Sequence, residues 1–203
     1  MTKLSATEVL KKYIPESSIA PCLKWINDYR LQLTIKKSRS TKLGDFRPAF
    51  NGKPARITVN GDLNKYGFLI TLVHEIAHGV CWIKYQHKVK PHGKEWKDIY
   101  TTMLALFIGN NTFPVELEQF IVAHINNPKA SSCSDIHLLK ALRAYDKNPV
   151  TFLEDLPLES KFELGTGRKF IKKEQKRKRF LCLEISSNRM YLVSPMAEVK
   201  PIE

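Results

Sequence analysis

Residues 68–83 read FLITLVHEIAHGVCWI, a nearly unbroken apolar run whose strongly polar members are His74, Glu75 and His78. A helix apolar on all sides belongs inside a domain, not on its surface. Polar groups buried there need partners. His74 and His78, at i and i+4, project from one helix face and can offer two imidazole nitrogens to a single ion, leaving Glu75 beside it. This His-Glu-x-x-His spacing is that of a zinc-binding helix carrying its own carboxylate base. The chain is expected to fold around this helix.

A catalytic Zn²⁺ takes three protein ligands and keeps a fourth position for water. His92 is the expected third, because it opens a second helical run that can fold back over the first. Glu95, one turn further on, would instead make a His-His-Glu site. His87 lies in a Lys-rich connection, where a solvated imidazole is the ordinary reading. Gly93 lets the backbone pass close to the site, and Trp96 reads as a core residue locking the two helices together.

The segment His74-Glu75-Ile76-Ala77-His78, followed by Pro91-His92-Gly93-Lys94-Glu95-Trp96, resembles the SprT-like family of zinc metallopeptidases, the bacterial relatives of Spartan, most closely over residues 60–106. The resemblance implies an α+β, zincin-like fold with helices packed on a small antiparallel sheet. It also implies Zn²⁺ held by His74, His78 and His92, Glu75 as catalytic base, and proteolysis of proteins attached to DNA. Many members carry a C-terminal zinc ribbon built from two Cys pairs, and here the chain departs from the pattern. Cys22, Cys81, Cys133 and Cys182 are scattered singly. Cys133 and His137 have an acceptable ligand spacing but lack a second pair. The C-terminal part is therefore expected to be a β-rich module resembling the ribbon without its cysteines, held by Phe162, Phe170, Phe180, Tyr191 and Leu192.

The net charge of +13 points toward a polyanion. It is concentrated in Arg168, Lys169, Lys172, Lys173, Lys176, Arg177, Lys178 and Arg179, interrupted by the single acid Glu174. Such a cluster suits DNA phosphates, while a solvated strand edge guarded by cations is the plainer alternative. Only Phe170 and Phe180 flank the run, so base stacking is not indicated. The start of the chain lacks a leader's apolar stretch and no apolar run reaches about eighteen residues. A cytoplasmic, possibly nucleoid-associated protein without a membrane partner is expected.

Ser5 and Glu8 form a capping-box pattern. Helices are expected over about 16–29 and 116–125 and from Ser134-Asp135 to Ala144, and strands over 31–35, 45–49, 55–59, 161–164, 169–171, 180–185 and 190–193. The expected organisation is a catalytic domain at 1–125, a helical linker at 126–150 and a small basic antiparallel β module at 151–203. Two other functions fit the same features: a DNA-binding protein with a non-catalytic zinc, and a general peptidase indifferent to DNA.

Overall fold

The computed structural model describes residues 5–39, 41–128, 135–147 and 150–202. They divide into two compact units, Met1–Lys147 and Asn148–Glu203.

In the first unit, Ser5 caps α1 (Ala6–Leu10) through a reciprocal capping box with Glu8. After α2 (Glu16–Asp28) come β1 (Gln32–Lys36), β2 (Gly44–Arg47) and β3 (Arg56–Asn60), in the spatial order β1-β3-β2. The expected antiparallel sheet is only half realised. β2 pairs antiparallel with β3, and between them Asn51 and Gly52, both at positive φ, make the tight turn. β1, however, runs parallel to β3. A parallel pair needs a crossover, and the stretch that contains β2 supplies it. Period-two alternation marks a strand without fixing the direction of its neighbour.

The helix that follows, α3 (Lys65–Tyr85), is the centre of this unit. Phe68, Leu69, Ile70, Leu72, Val73, Ile76 and Ala77 are each at most 1% exposed. Each large apolar side chain among them contributes about 1.5–3 kcal/mol by leaving water. Although α3 is apolar and long enough to cross a bilayer, 72% of its apolar window is buried inside the protein, as befits a core helix. Against it pack α4 (Lys94–Ala105), then α5 (Val115–Asn126) and α6 (Ile136–Arg143).

Asn64 caps α3 by accepting from the Tyr66 and Gly67 N–H groups, while its amide donates to Leu142 O and Asp146 Oδ1. With Leu138 and Leu142 buried in the same core, the helix expected within a linker is packed into the first unit.

The second unit is an antiparallel sheet of six strands: β4 (Thr151–Phe152), β5 (Lys161–Leu164), β6 (Lys169–Lys176), β7 (Arg179–Glu184), β8 (Met190–Val193) and β9 (Glu198–Ile202), in the order β4-β9-β5-β6-β7-β8. Phe162, Phe170, Phe180 and Cys182 fill its core. Leu192, expected there, is 53% exposed, because the alternation along β8 turns Tyr191 and Val193 inward instead. β9 escapes sequence reading because it contains Pro201. That residue lies opposite Phe162 of β5 and beyond the two positions of β9 paired to β4.

Lys172 overturns one expectation. It shares the inward face of β6 with Phe170, and only 2% of it is exposed. Its ammonium donates to the carbonyls of Leu153, Glu154 and Leu156 and lies 3.8 Å from the centre of the Phe180 ring. A cation so engaged staples the strand to the preceding turn and cannot reach a phosphate. Lys172→Met, which leaves those carbonyls without their donor, is expected to destabilise the second unit by about 1–3 kcal/mol, measured by chemical denaturation.

Candidate metal centre

The face of α3 that carries His74 and His78 meets the turn entering α4, which carries His92. The three Nε2 atoms stand 3.2, 3.0 and 3.2 Å apart. Nitrogens bound tetrahedrally at about 2.0–2.1 Å from zinc would be separated by about 3.3 Å. The cluster is therefore near the geometry that such an ion imposes.

His92 arrives there by an unusual backbone. Gly93 N–H donates to Lys90 O at 2.9 Å, closing a turn with Pro91 at its second position and His92 at φ 56° in its third. This is the type II arrangement, whose third position favours glycine or asparagine. A histidine there carries strain of order 1 kcal/mol or more, the kind that persists where function over-determines the backbone. Gly93 is needed next to it, since a Cβ would sit 2.9 Å from Lys90 O.

Trp96 lies under all three imidazoles: it stacks on His78 at 5.1 Å and meets His74 and His92 edge-on at 4.6 and 4.7 Å. It locks α3 to α4 as expected and also floors the site. Phe46 of β2 lies along His78 on another side. The three histidines and Glu75 line a cleft of about 840 Å³, with Phe46, Trp82 and Val89 among its apolar walls.

Burial, followed by the neighbouring imidazoles His78, His92 and His124, depresses His74 to about 2. Burial and then His92 depress His78 to about 4. His92 is lowered as well, by burial and then Lys97. The rings are thus neutral near pH 7 and can direct lone pairs at one point. Three converging lone pairs repel one another unless a cation lies among them, so the donor set fits a divalent metal with a preference for imidazole.

Glu75 is pushed the other way, to about 8, by burial and then by the Asp45 carboxylate, with Arg39 and Lys42 opposing. Its carboxyl packs against Gly44, where an added Cβ would come within 2.5 Å of Oε1. Gly44 carried no sequence signal for this role, because the contact joins β2 to α3 across the fold.

The alternatives do not join the cluster. Glu95 is absent from the metal-ligating group formed by the described residues, and His87 packs edge-on against Trp82 at 4.3 Å in the cleft wall. Cys133 lies outside the described residues, so its pairing with His137 has no structural reading. Of the basic run, Arg168 is paired with Glu184, Lys173 with Glu159 and Lys176 with Glu174, whereas Lys169, Arg177, Lys178 and Arg179 are exposed without an ion pair among the described residues. Lys176 and Arg179 face each other at the end of the β6–β7 hairpin, with Arg177 and Lys178 forming its tip.

Fold and site together define an α+β domain in which the central helix and the turn entering α4 bring together three histidines that could hold a metal ion. The SprT-like family model matches residues 11–118, and the chain belongs to the SprT-like family. No curated protein and no solved structure shows significant similarity to it.

The protonation states set a pH signature for the metal-free protein. Histidines depressed on folding leave the unfolded chain binding more protons below about 6.5, so stability falls as pH drops from there. Glu75, raised on folding, does the reverse, and its stabilising proton is lost as pH rises through about 8. Thermal denaturation of metal-free protein should therefore show greatest stability near pH 6.5. Glu75→Gln should remove much of the decline on the alkaline side.

Proposed function

We propose that this protein is a zinc-dependent endopeptidase of the His-Glu-x-x-His type. The observation that carries this reading is the convergence of three neutral imidazole nitrogens within 3.2 Å, beside a buried carboxylate on the same helix, in an open cleft. Zn²⁺ held by His74, His78 and His92 would polarise a peptide carbonyl and acidify water. Glu75 takes the proton from the attacking water and returns it to the leaving amine. To take that proton Glu75 must be ionised, and a divalent cation held beside it would favour the ionised form against the burial that otherwise keeps it protonated.

Substrate positioning falls to β2. It is an outer strand of its sheet, and Gly44, Asp45 and Phe46 line the cleft. An extended polypeptide can pair with that edge through main-chain hydrogen bonds, which do not depend on its sequence.

The finer part of the proposal is that the substrates are DNA-associated or DNA-crosslinked proteins. It is supported by the exposed cations at the β6–β7 tip and by the net charge of +13.

Three outcomes test the proposal. Glu75→Gln should retain zinc by elemental analysis while losing about 10²–10⁴-fold in proteolysis, the usual contribution of a general base, whereas His78→Ala should lose the metal. Gly44→Ala, which displaces the Glu75 carboxyl, should lower kcat with zinc retained, and Glu75→Gln activity unaffected by adding Gly44→Ala would confirm that the two act as a unit. Neutralising Lys169, Arg177, Lys178 and Arg179 together should weaken duplex DNA binding and flatten its salt dependence; unchanged binding would separate the peptidase from DNA.

A further inference from the structure

Tyr100, His124 and Asp135 form a hydrogen-bonded chain behind the metal centre. Tyr100 and His124 are each 1% exposed. The Tyr100 hydroxyl lies 3.2 Å from His124 Nε2, and His124 Nδ1 lies 2.9 Å from Asp135 Oδ2. Burial raises the Tyr100 pKa, so its hydroxyl keeps its proton. One arrangement satisfies every group: Tyr100 donates to Nε2, and the Nδ1–H of His124 donates to Asp135. The other carboxylate oxygen, Oδ1, accepts from Leu138 N–H and caps α6. The chain thus ties α4, α5 and the start of α6 together.

Its near end touches the site. The Tyr100 ring stacks on Trp96 at 4.9 Å and 14°, and it meets His74 edge-on at 5.5 Å. Trp96 is completely buried, yet its Nε1 has no hydrogen-bond partner among the described residues. Ring packing alone sets its orientation, and Trp96 in turn packs against all three imidazoles. One of the rings packed on it, Tyr100, is itself held by the hydrogen bond to His124.

We propose that Tyr100, His124 and Asp135 are positioning residues that hold Trp96, and through it the three histidines, in metal-binding register. The family match ends at residue 118, so two of the three lie beyond it. On this view, α6 belongs to the metal centre's support and not only to the hydrophobic core. The inference rests on the reading that His74, His78 and His92 hold a metal, but it concerns their orientation and not proteolysis.

The test uses the full chain and compares Tyr100→Phe and Asp135→Asn with Ile121→Val, a core change on α5. Tyr100→Phe keeps the stacked ring and removes only the hydroxyl. Asp135→Asn keeps an α6 cap but puts an amide where His124 needs an acceptor. Zinc affinity is read by chelator competition, and the ligand field by the visible spectrum of the Co²⁺-loaded protein. Both relay variants are expected to weaken zinc by about tenfold, the lower range for residues supporting metal ligands, and to shift the Co²⁺ bands, with Ile121→Val altering neither. Unchanged affinity and spectrum in Tyr100→Phe, or equal changes in Ile121→Val, would overturn the relay while leaving the metal site intact; a wild-type chain that binds neither Zn²⁺ nor Co²⁺ would overturn both. If Asp135→Asn fails to fold, Tyr100→Phe decides.

Discussion

The structure depends on the cost of placing imidazoles inside an apolar helix bundle. α3 contributes more of the first unit's core than any other element, and burial in its neighbourhood holds His74 and His78 neutral. A neutral, half-buried imidazole retains a lone pair and gains from a partner for it. Convergence with His92 concentrates that need at one point, which makes the cluster suitable for a metal and leaves it frustrated without one. Hydrophobic burial and ligand preparation are thus the same event.

What surrounds the histidines follows from this demand. Three rings must point at one spot, but two hang from a rigid helix and the third from a turn whose left-handed residue is the ligand itself. The turn is fixed by Pro91 at one side and by the narrow passage at Gly93 on the other. Trp96 follows within one turn of α4, so the peptide that delivers the third ligand also delivers the floor beneath all three. Gly44 plays the corresponding part for Glu75: by having no side chain, it lets the sheet approach closely enough to surround the carboxyl and push its pKa up.

Much of this was legible in the sequence where the signal was local. The spacing of His74 and His78 states their common face, the apolar run states the burial of the helix that carries them, and His92-Gly93 marks the start of a second helical run. The capping residues Ser5 and Asp135 mark helix starts that the structure retains. Relations between distant segments were not legible. The parallel pairing of β1 with β3, the contact of Gly44 with Glu75 and the bond from Tyr100 to His124 each depend on how elements are brought together, and no periodicity encodes that. Lys172 is the instructive case. In sequence it is one cation among eight, and only strand phase, set by the neighbouring Phe170, decides that its ammonium turns inward.

That distinction alters how charge in the second unit should be read. A basic run in a sequence is a sum, whereas a surface that binds phosphates is a selection from it. Burial removes Lys172, and Glu184, Glu159 and Glu174 partly neutralise Arg168, Lys173 and Lys176. The Lys173 and Lys176 pairs are the more exposed and hold their cations weakly, whereas Arg168 is held by the buried Glu184 and by the Phe170 and Tyr191 rings. The strong constraint is geometric: a short hairpin turn projects Arg177 and Lys178 with Lys176 and Arg179 at its base. The positive field is therefore carried on a narrow tip.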